Sequence, residues 1–315
     1  MRKKILVTGA AGFIATNLIA RLLETGEYFV IGIDNFNPYY DKRIKHENVK
    51  SNYHKLFKFI YKDITNQIEM EKLFNDNKFD IVIHLAAQVG VGFSVSNSLL
   101  VNEININGFD IVAKLSALNG VKHFIYASSS AVYGDDGKIK SPYAVTKATN
   151  ELQATAYSSL FKMRFTGLRF FTVYGERMRP DLGISKFANA ILDKQAIRIY
   201  GDGSQMRDFT YIGDVVDAIM TVMESDKKWK CEVFDIGRGY PITINKVIDV
   251  LKDILYEEGF DNIIYEKPKP YDVKLTVANS GKIRDFLGFV CKTGIDDGLE
   301  KYTSWLIEQK KSVIR

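Results

Sequence analysis

Tyr143 and Lys147 stand four residues apart in the segment Pro142-Tyr-Ala-Val-Thr-Lys, where Ala144, Ala148, Leu152, Ala156 and Leu160 recur at helical spacing as the expected core stripe. Two side chains so spaced share one helix face. A phenol with an ordinary pKa of about 10 is a poor base at neutral pH, but a cation one turn away favours the phenolate, which can then take a proton from a hydroxyl. In isolation a Tyr-x-x-x-Lys pair is no more than a solvated helix face. Here it follows Ser128-Ser129-Ser130 at the end of a strand-like run, His123 to Ala127, so hydroxyls and base can meet on one substrate.

A second chemistry lies near the N-terminus. The run Lys4 to Thr8 leads into Gly9-Ala10-Ala11-Gly12-Phe13-Ile14-Ala15 and then an amphipathic pattern, the order strand, turn, helix. Small residues let the backbone approach a pyrophosphate, which the N–H groups and dipole of the helix N-terminus stabilise. An ordinary tight turn would carry the same glycines. Asp34 argues for more, because it ends the second strand about 20 residues on, where a carboxylate can bond ribose hydroxyls and repel a 2′-phosphate, favouring NAD over NADP. Asp63 and Ile64 after the third strand can flank an adenine, and Leu85, Ala86 and Ala87 after the fourth leave room for a dinucleotide to cross the sheet edge. A bound nicotinamide would add its own positive charge near Tyr143.

The elements that must hold these groups are short β-branched runs alternating with helical patterns: strands at 4–8, 29–33, 57–61, 81–85, 123–127 and 165–170, with Ile14, Leu18 and Leu22, and then Leu100, Ile104, Ile111, Leu115 and Leu118, as helical stripes. This is the pattern of an α/β, Rossmann-like doubly wound parallel sheet. After about Gly175 turn signals multiply. Residues 1–175 are therefore expected to form the dinucleotide-binding domain with the Tyr/Lys helix, and 176–315 mainly a smaller C-terminal substrate-binding lobe, with about 205–245 returning to the first domain.

Composition narrows the class. The 315 residues are 46% hydrophobic and 26% charged, which excludes disorder and leaves one large or two modest domains. A net charge of +5 comes with no basic run that would pick out nucleic acid or a membrane surface. The opening Met-Arg-Lys-Lys mimics a signal peptide, but its apolar stretch continues into a helix carrying Asn17, Arg21 and Glu24, so secretion is rejected. The most apolar interior stretch, 79–93, contains Asp80, His84 and Gln88 and is shorter than the roughly 20 residues a bilayer needs. Cys231 and Cys291 show neither disulfide nor zinc spacing, so no metal is expected and a cytoplasmic setting is the default.

Taken together, TGAAGFIA, GIDN, KDI, HLAA, SSSAVYG, SPYAVTK, LRFFTVYG, YGDGSQMRDFTYI and DDGLEKYTSWL resemble the extended short-chain dehydrogenase/reductase family, and within it the nucleotide-sugar 4-epimerases. DNFNPYYD, RPDLGISKFANAIL and KPYDV are most similar to the UDP-glucuronate 4-epimerases, while IYGDG and RDFTYI are shared almost equally by UDP-N-acetylglucosamine 4-epimerases; a UDP-glucose 4-epimerase is a further alternative. The resemblance implies NAD held by the glycine loop with Asn35 beside Asp34, a UDP-sugar substrate and a homodimer paired through the helices from Ser98 and Tyr143. It implies Tyr143 as base, Lys147 on the nicotinamide ribose lowering the tyrosine pKa, and Ser129, or its neighbour Ser130, on the sugar 4-hydroxyl. It further implies Thr172 and Arg207 at the diphosphate, Tyr200 and Asp272 around the uridine, and Arg179 at a sugar carboxylate.

Three departures qualify the match. Ala15 replaces a third glycine, Lys269 stands where some relatives carry arginine, and Gly92 stands where a larger side chain is common, so a roomier sugar pocket is expected. Related dehydratases and decarboxylating enzymes need an acidic residue after the serine cluster, where this chain has Ala131. One base and one hydride acceptor suffice for C4 epimerisation through a transient 4-keto sugar. A net NAD-dependent 4-dehydrogenase would share the same residues, and a non-catalytic dinucleotide-sensing protein would share the fold.

Overall fold

The computed structural model describes residues 2–255 and 260–314. Its centre is a seven-stranded, wholly parallel sheet built from β1 (Lys3–Thr8), β2 (Tyr28–Asp34), β3 (Phe57–Tyr61), β4 (Ile81–His84), β5 (His123–Ser129), β6 (Arg164–Phe170) and a final strand, Cys231–Ile236. The spatial order is Cys231–Ile236, β6, β5, β4, β1, β2, β3. The order reverses between β1 and β4, so the C-terminal ends of those strands open a crevice where a ligand can lie. The seventh strand lay outside the sequence expectation, and β4 stops at His84, one residue short of it.

The strands read as continuous apolar runs because helices cover both faces. Phe13–Thr25 (α1) begins directly after Gly12 and ends at Gly26, whose left-handed φ of +68° lets its N–H reach the Leu23 carbonyl. It packs with Ile212–Glu224 on one face. Lys42–Ser51 (α2) flanks α1, while Gln67–Asp76 (α3) and the later helix Phe109–Leu118 (α6) cover the opposite face around Phe74, Phe109 and Phe124. Between β4 and α6 lie two short helices, Val91–Ser96 (α4) and Ser98–Asn102 (α5), followed by a π-helical turn at Glu103–Gly108.

Pro142–Leu160 (α7) starts on an N-cap, with Ser141 Oγ accepting the Ala144 N–H and proline at the first helical position. The expected core stripe of α7 is wrong in its second half. Ala144, Lys147, Ala154 and Ser158 are buried, whereas Leu152 and Leu160 are 72% and 75% exposed. On the preceding segment the ends of the expected stripe, Leu100 and Leu118, likewise face outward, while Ile104, Ile111 and Leu115 pack partly buried against the core beside the buried Val101, Phe109 and Val112.

A second group of elements, the helices Gly183–Leu192, Ile244–Ile254 and Ile295–Ile314 with three two-stranded ladders, stands over the crevice. Its apolar core is continuous with that beneath α1. The buried Asp208 carboxylate fixes the junction by accepting the N–H groups of Arg238, Gly239 and Ala278. Among the described residues no helix is long and apolar enough to cross a membrane, and no cluster of histidine, cysteine and acidic side chains is placed to hold a metal ion.

Candidate active site

A cavity of about 520 Å³ runs along the C-terminal strand ends between the sheet and the second group of elements. Its floor is the glycine turn. Gly9 has φ +69°, and a Cβ there would lie 2.8 Å from the Ala86 backbone nitrogen, so this strand exit is open to glycine alone. Gly12 precedes α1 with its N–H bonded to the Gly9 carbonyl, leaving the first-turn amides of Phe13, Ile14 and Ala15 at the cavity wall. Asp34 is 9% exposed and lines the same cavity, its carboxylate ordered by the N–H groups of Ala11 and Phe36. Asn35 donates to Asp63, which also accepts from Thr65. Ile64, Leu85, Ala86 and Ala87 complete this half. Geometry and charge fit a dinucleotide: a cradle where only small residues pass, helix amides for the diphosphate, and a carboxylate one strand away.

The reacting half is built on β5 and α7. Lys147 is 3% exposed and donates from Nζ to the Ala127 carbonyl at 2.9 Å, tying the helix to the strand end, with Nζ 5.9 Å from the centre of the Tyr143 ring. Burial lowers its pKa to about 8, which leaves it mostly charged at neutral pH. Tyr143 faces the cavity, and its backbone N–H is held by Ser94 Oγ from α4. In the chain alone burial dominates the phenol and keeps its pKa above the ordinary value, while a hydrogen bond with Ser129 and the charge of Arg179 pull it down. Lysine acts here as a tie and donor.

The three serines separate by role. Ser129 joins Tyr143 at the cavity, and Ser130 lines it at the start of a short 3-10 turn. Ser128 lines it too, and its hydroxyl donates to Glu151 Oε1 at 2.5 Å. Glu151, one turn beyond Lys147, is gripped on both oxygens by Arg169 at 2.8 and 2.7 Å, and Arg169 donates onward to Tyr133, whose hydroxyl donates to Asp235. The helix is therefore fastened to the β5 end twice, by Lys147 at Ala127 and by Glu151 at Ser128.

Arg179 lines the cavity with Nε and Nη2 both 2.8 Å from Asp181 and its guanidinium 5.7 Å from the centre of the Tyr39 ring. Thr172, Arg207 and Asp272 also reach the cavity; Arg207 stands 3.6 Å from Asp272, whose pKa burial raises. Tyr200 does not line the cavity. It is 43% exposed, with Lys269 Nζ 4.5 Å above its ring. The roomier pocket expected at Gly92 is also absent, because the Tyr271 hydroxyl lies 2.6 Å from where a Cβ would stand. Sequence reasoning missed Ser94, Tyr39, Glu151 and Tyr271. Only Glu151 carried a local signal, its spacing of four from Lys147; the others come from segments brought together by the fold.

Residues 5–237 match the model of the NAD dependent epimerase/dehydratase family. The whole chain is similar to Protein CapI of Staphylococcus aureus, 36% identical over 98% of this chain and 99% of that protein, and to a UDP-glucuronate 4-epimerase of Thermodesulfobacterium geofontis, 35% identical over 95% of each. Among solved structures, the UDP-glucuronic acid 4-epimerase of Bacillus cereus in complex with UDP-glucuronic acid and NAD superposes with a TM-score of 0.91 at 33% identity, covering 97% of this chain and 99% of that one.

Proposed function

The chain belongs to the NAD dependent epimerase/dehydratase family, and we propose that it is an NAD-dependent nucleotide-sugar 4-epimerase interconverting UDP-glucuronate and UDP-galacturonate. The observation that carries this reading is the convergence of Tyr143, Ser129 and Arg179 on the cavity that the glycine loop and Asp34 also line. Curated relatives and solved neighbours that carry this activity, with NAD and UDP-glucuronic acid bound in one of them, support it.

The Tyr143 phenolate takes the proton of the sugar 4-hydroxyl, with Ser129 orienting that oxygen and stabilising the negative phenol oxygen between turnovers. NAD, held by the glycine turn, Asp34 and Lys147, would supply the reversible hydride acceptor that lets C4 pass through a ketone and be reduced again on its other face. Lys147 holds the strand end and offers its remaining N–H groups to the cofactor ribose, and Asp34 offers its carboxylate to the adenosine ribose. Arg207 and Thr172 hold the diphosphate, about which the sugar turns, and Asp272 lies beside the uridine. Arg179 holds the carboxylate, and its charge opposes carbon dioxide loss from the 4-keto acid because that loss would remove the anion it pairs with.

The same reading includes two copies pairing through the outward apolar side chains of α5 and α7, where Leu99 is 84% exposed, and a cytoplasmic setting for its two unpaired cysteines. The test is to incubate the purified protein with a panel of UDP-hexoses and UDP-hexuronates and to read product configuration by NMR. Inversion at C4 of UDP-glucuronate supports the reading; release of a 4-keto sugar with rising absorbance at 340 nm overturns it in favour of a dehydrogenase.

A further inference from the structure

The segment Gly90-Val91-Gly92 opens α4, the helix whose Ser94 holds the Tyr143 backbone. Two tyrosines from distant parts of the chain press on it. Tyr39, from the segment after β2, places its hydroxyl 2.5 Å from where a Gly90 Cβ would be, and Tyr271, from the second group of elements, stands 2.6 Å from the Gly92 Cβ position, with its ring carbon Cζ at 3.0 Å. Neither contact tolerates a side chain on the glycine without displacing a ring. Tyr271 is followed directly by Asp272, the partner of Arg207, so the residue that closes against α4 is attached to the end of the cavity assigned to the nucleotide.

We propose that Tyr271, seated on Gly92, is a specificity-determining wall of the sugar pocket that limits the size of the substituents a hexose can carry as it turns over Tyr143. The inference rests on the 4-epimerase reading and deepens it. A sugar attached through its diphosphate must present both faces to one base, so the pocket has to accommodate the half-turn as well as one docked pose. The wall facing α4 limits that sweep. A planar hexuronate carboxylate passes within reach of Arg179, whereas the longer N-acetyl arm of an N-acetylhexosamine meets the Tyr271 ring. Because Gly92 supplies the seat and Tyr271 the wall, the two act as one unit, and the site is closed where Gly92 by itself would leave it open.

The experiment compares Tyr271→Ala, Tyr271→Phe, Gly92→Ala and the Gly92→Ala/Tyr271→Ala double variant on UDP-glucuronate and UDP-N-acetylglucosamine. Tyr271→Ala is expected to raise kcat/KM for the N-acetyl sugar relative to the uronate by about 10-fold or more, the range in which a pocket wall discriminates by size. Tyr271→Phe should keep the wild-type ratio, since the ring is the wall. Gly92→Ala should move the ratio in the same direction by displacing the ring, and the double variant should add nothing further, as expected of two residues in contact. Equal changes on both sugars, or additive effects of the two positions, overturn the proposal. Calorimetric binding of both UDP-sugars to the same proteins in a Tyr143→Phe background separates the claims: a shifted binding ratio without 4-epimerase turnover in the parent enzyme sustains the wall and refutes the reading beneath it.

Discussion

At the residue scale the central feature is an opposition around Tyr143, where burial raises the phenol pKa while Ser129 and Arg179 lower it. Tyr143→Phe removes the base and keeps the ring, so turnover should fall at least about 100-fold with the circular dichroism spectrum unchanged. Arg179 gives a signed prediction. A base works deprotonated, so the ascending limb of the kcat profile tracks the tyrosine pKa; removing a cation that lowers it moves that limb to higher pH. Arg179→Ala should show this shift, lose UDP-glucuronate turnover selectively and release some decarboxylated pentose product, whereas Arg179→Lys should hold the limb near its original position. An unmoved limb in Arg179→Ala would separate this arginine from the base.

At the element scale the helix α7 and the strand β5 must keep a fixed register for Ser129 and Tyr143 to meet. Lys147 and Glu151, one turn apart, fasten Ala127 and Ser128 of the strand. Glu151→Gln weakens one fastening without touching the cavity, and a displacement of about 1 Å at the base can cost up to about 100-fold in rate. The expected result is a lower kcat with KM for the UDP-sugar little changed; a rise in KM alone would place Glu151 in binding. Much of this scale was legible beforehand: six of the seven sheet strands, the glycine turn and the Tyr143–Lys147 spacing all depend on local pattern. The seventh strand was not, because Cys231-Glu-Val-Phe-Asp-Ile carries two acids and no strong alternation. The α7 stripe was misread for a different reason. Ala144 faces inward, but Leu152 and Leu160 are apolar and exposed, and periodicity cannot tell a core face from an exposed apolar one. Tyr39 and Tyr271 were illegible because their contacts join segments more than fifty residues from the glycines or from each other.

At the scale of the whole molecule, two histidines are buried in the parallel sheet. His84 is held to a pKa of about 3 by burial with Lys147 nearby, and His123 lies well below its ordinary value by burial beside Arg164. Each pKa is lower folded than the unfolded value of about 6.5, so the unfolded chain binds the protons first. Stability is fully present above about pH 6.5 and is lost as pH falls towards 3, with each histidine contributing a slope of at most about 1.4 kcal/mol per pH unit. Urea midpoints measured between pH 7.5 and 4.5 should fall steadily with acid; a flat profile would contradict the neutral, buried state of both rings. The pairing proposed through the apolar faces of α5 and α7 gives a second molecular expectation, that the protein sediments as a dimer and Leu152→Glu shifts it to monomer. An unchanged sedimentation coefficient would remove these helices from the interface.

The account stands on the claim that the hydride taken from C4 is kept within the site and returned to the same carbon. Its most direct measurement uses UDP-glucuronate deuterated at C4, incubated with the purified protein, with the product followed by proton and deuterium NMR. The account predicts UDP-galacturonate retaining deuterium at C4, with no absorbance gained at 340 nm. Product carrying hydrogen at C4, or deuterium accumulating in free reduced cofactor, would contradict it.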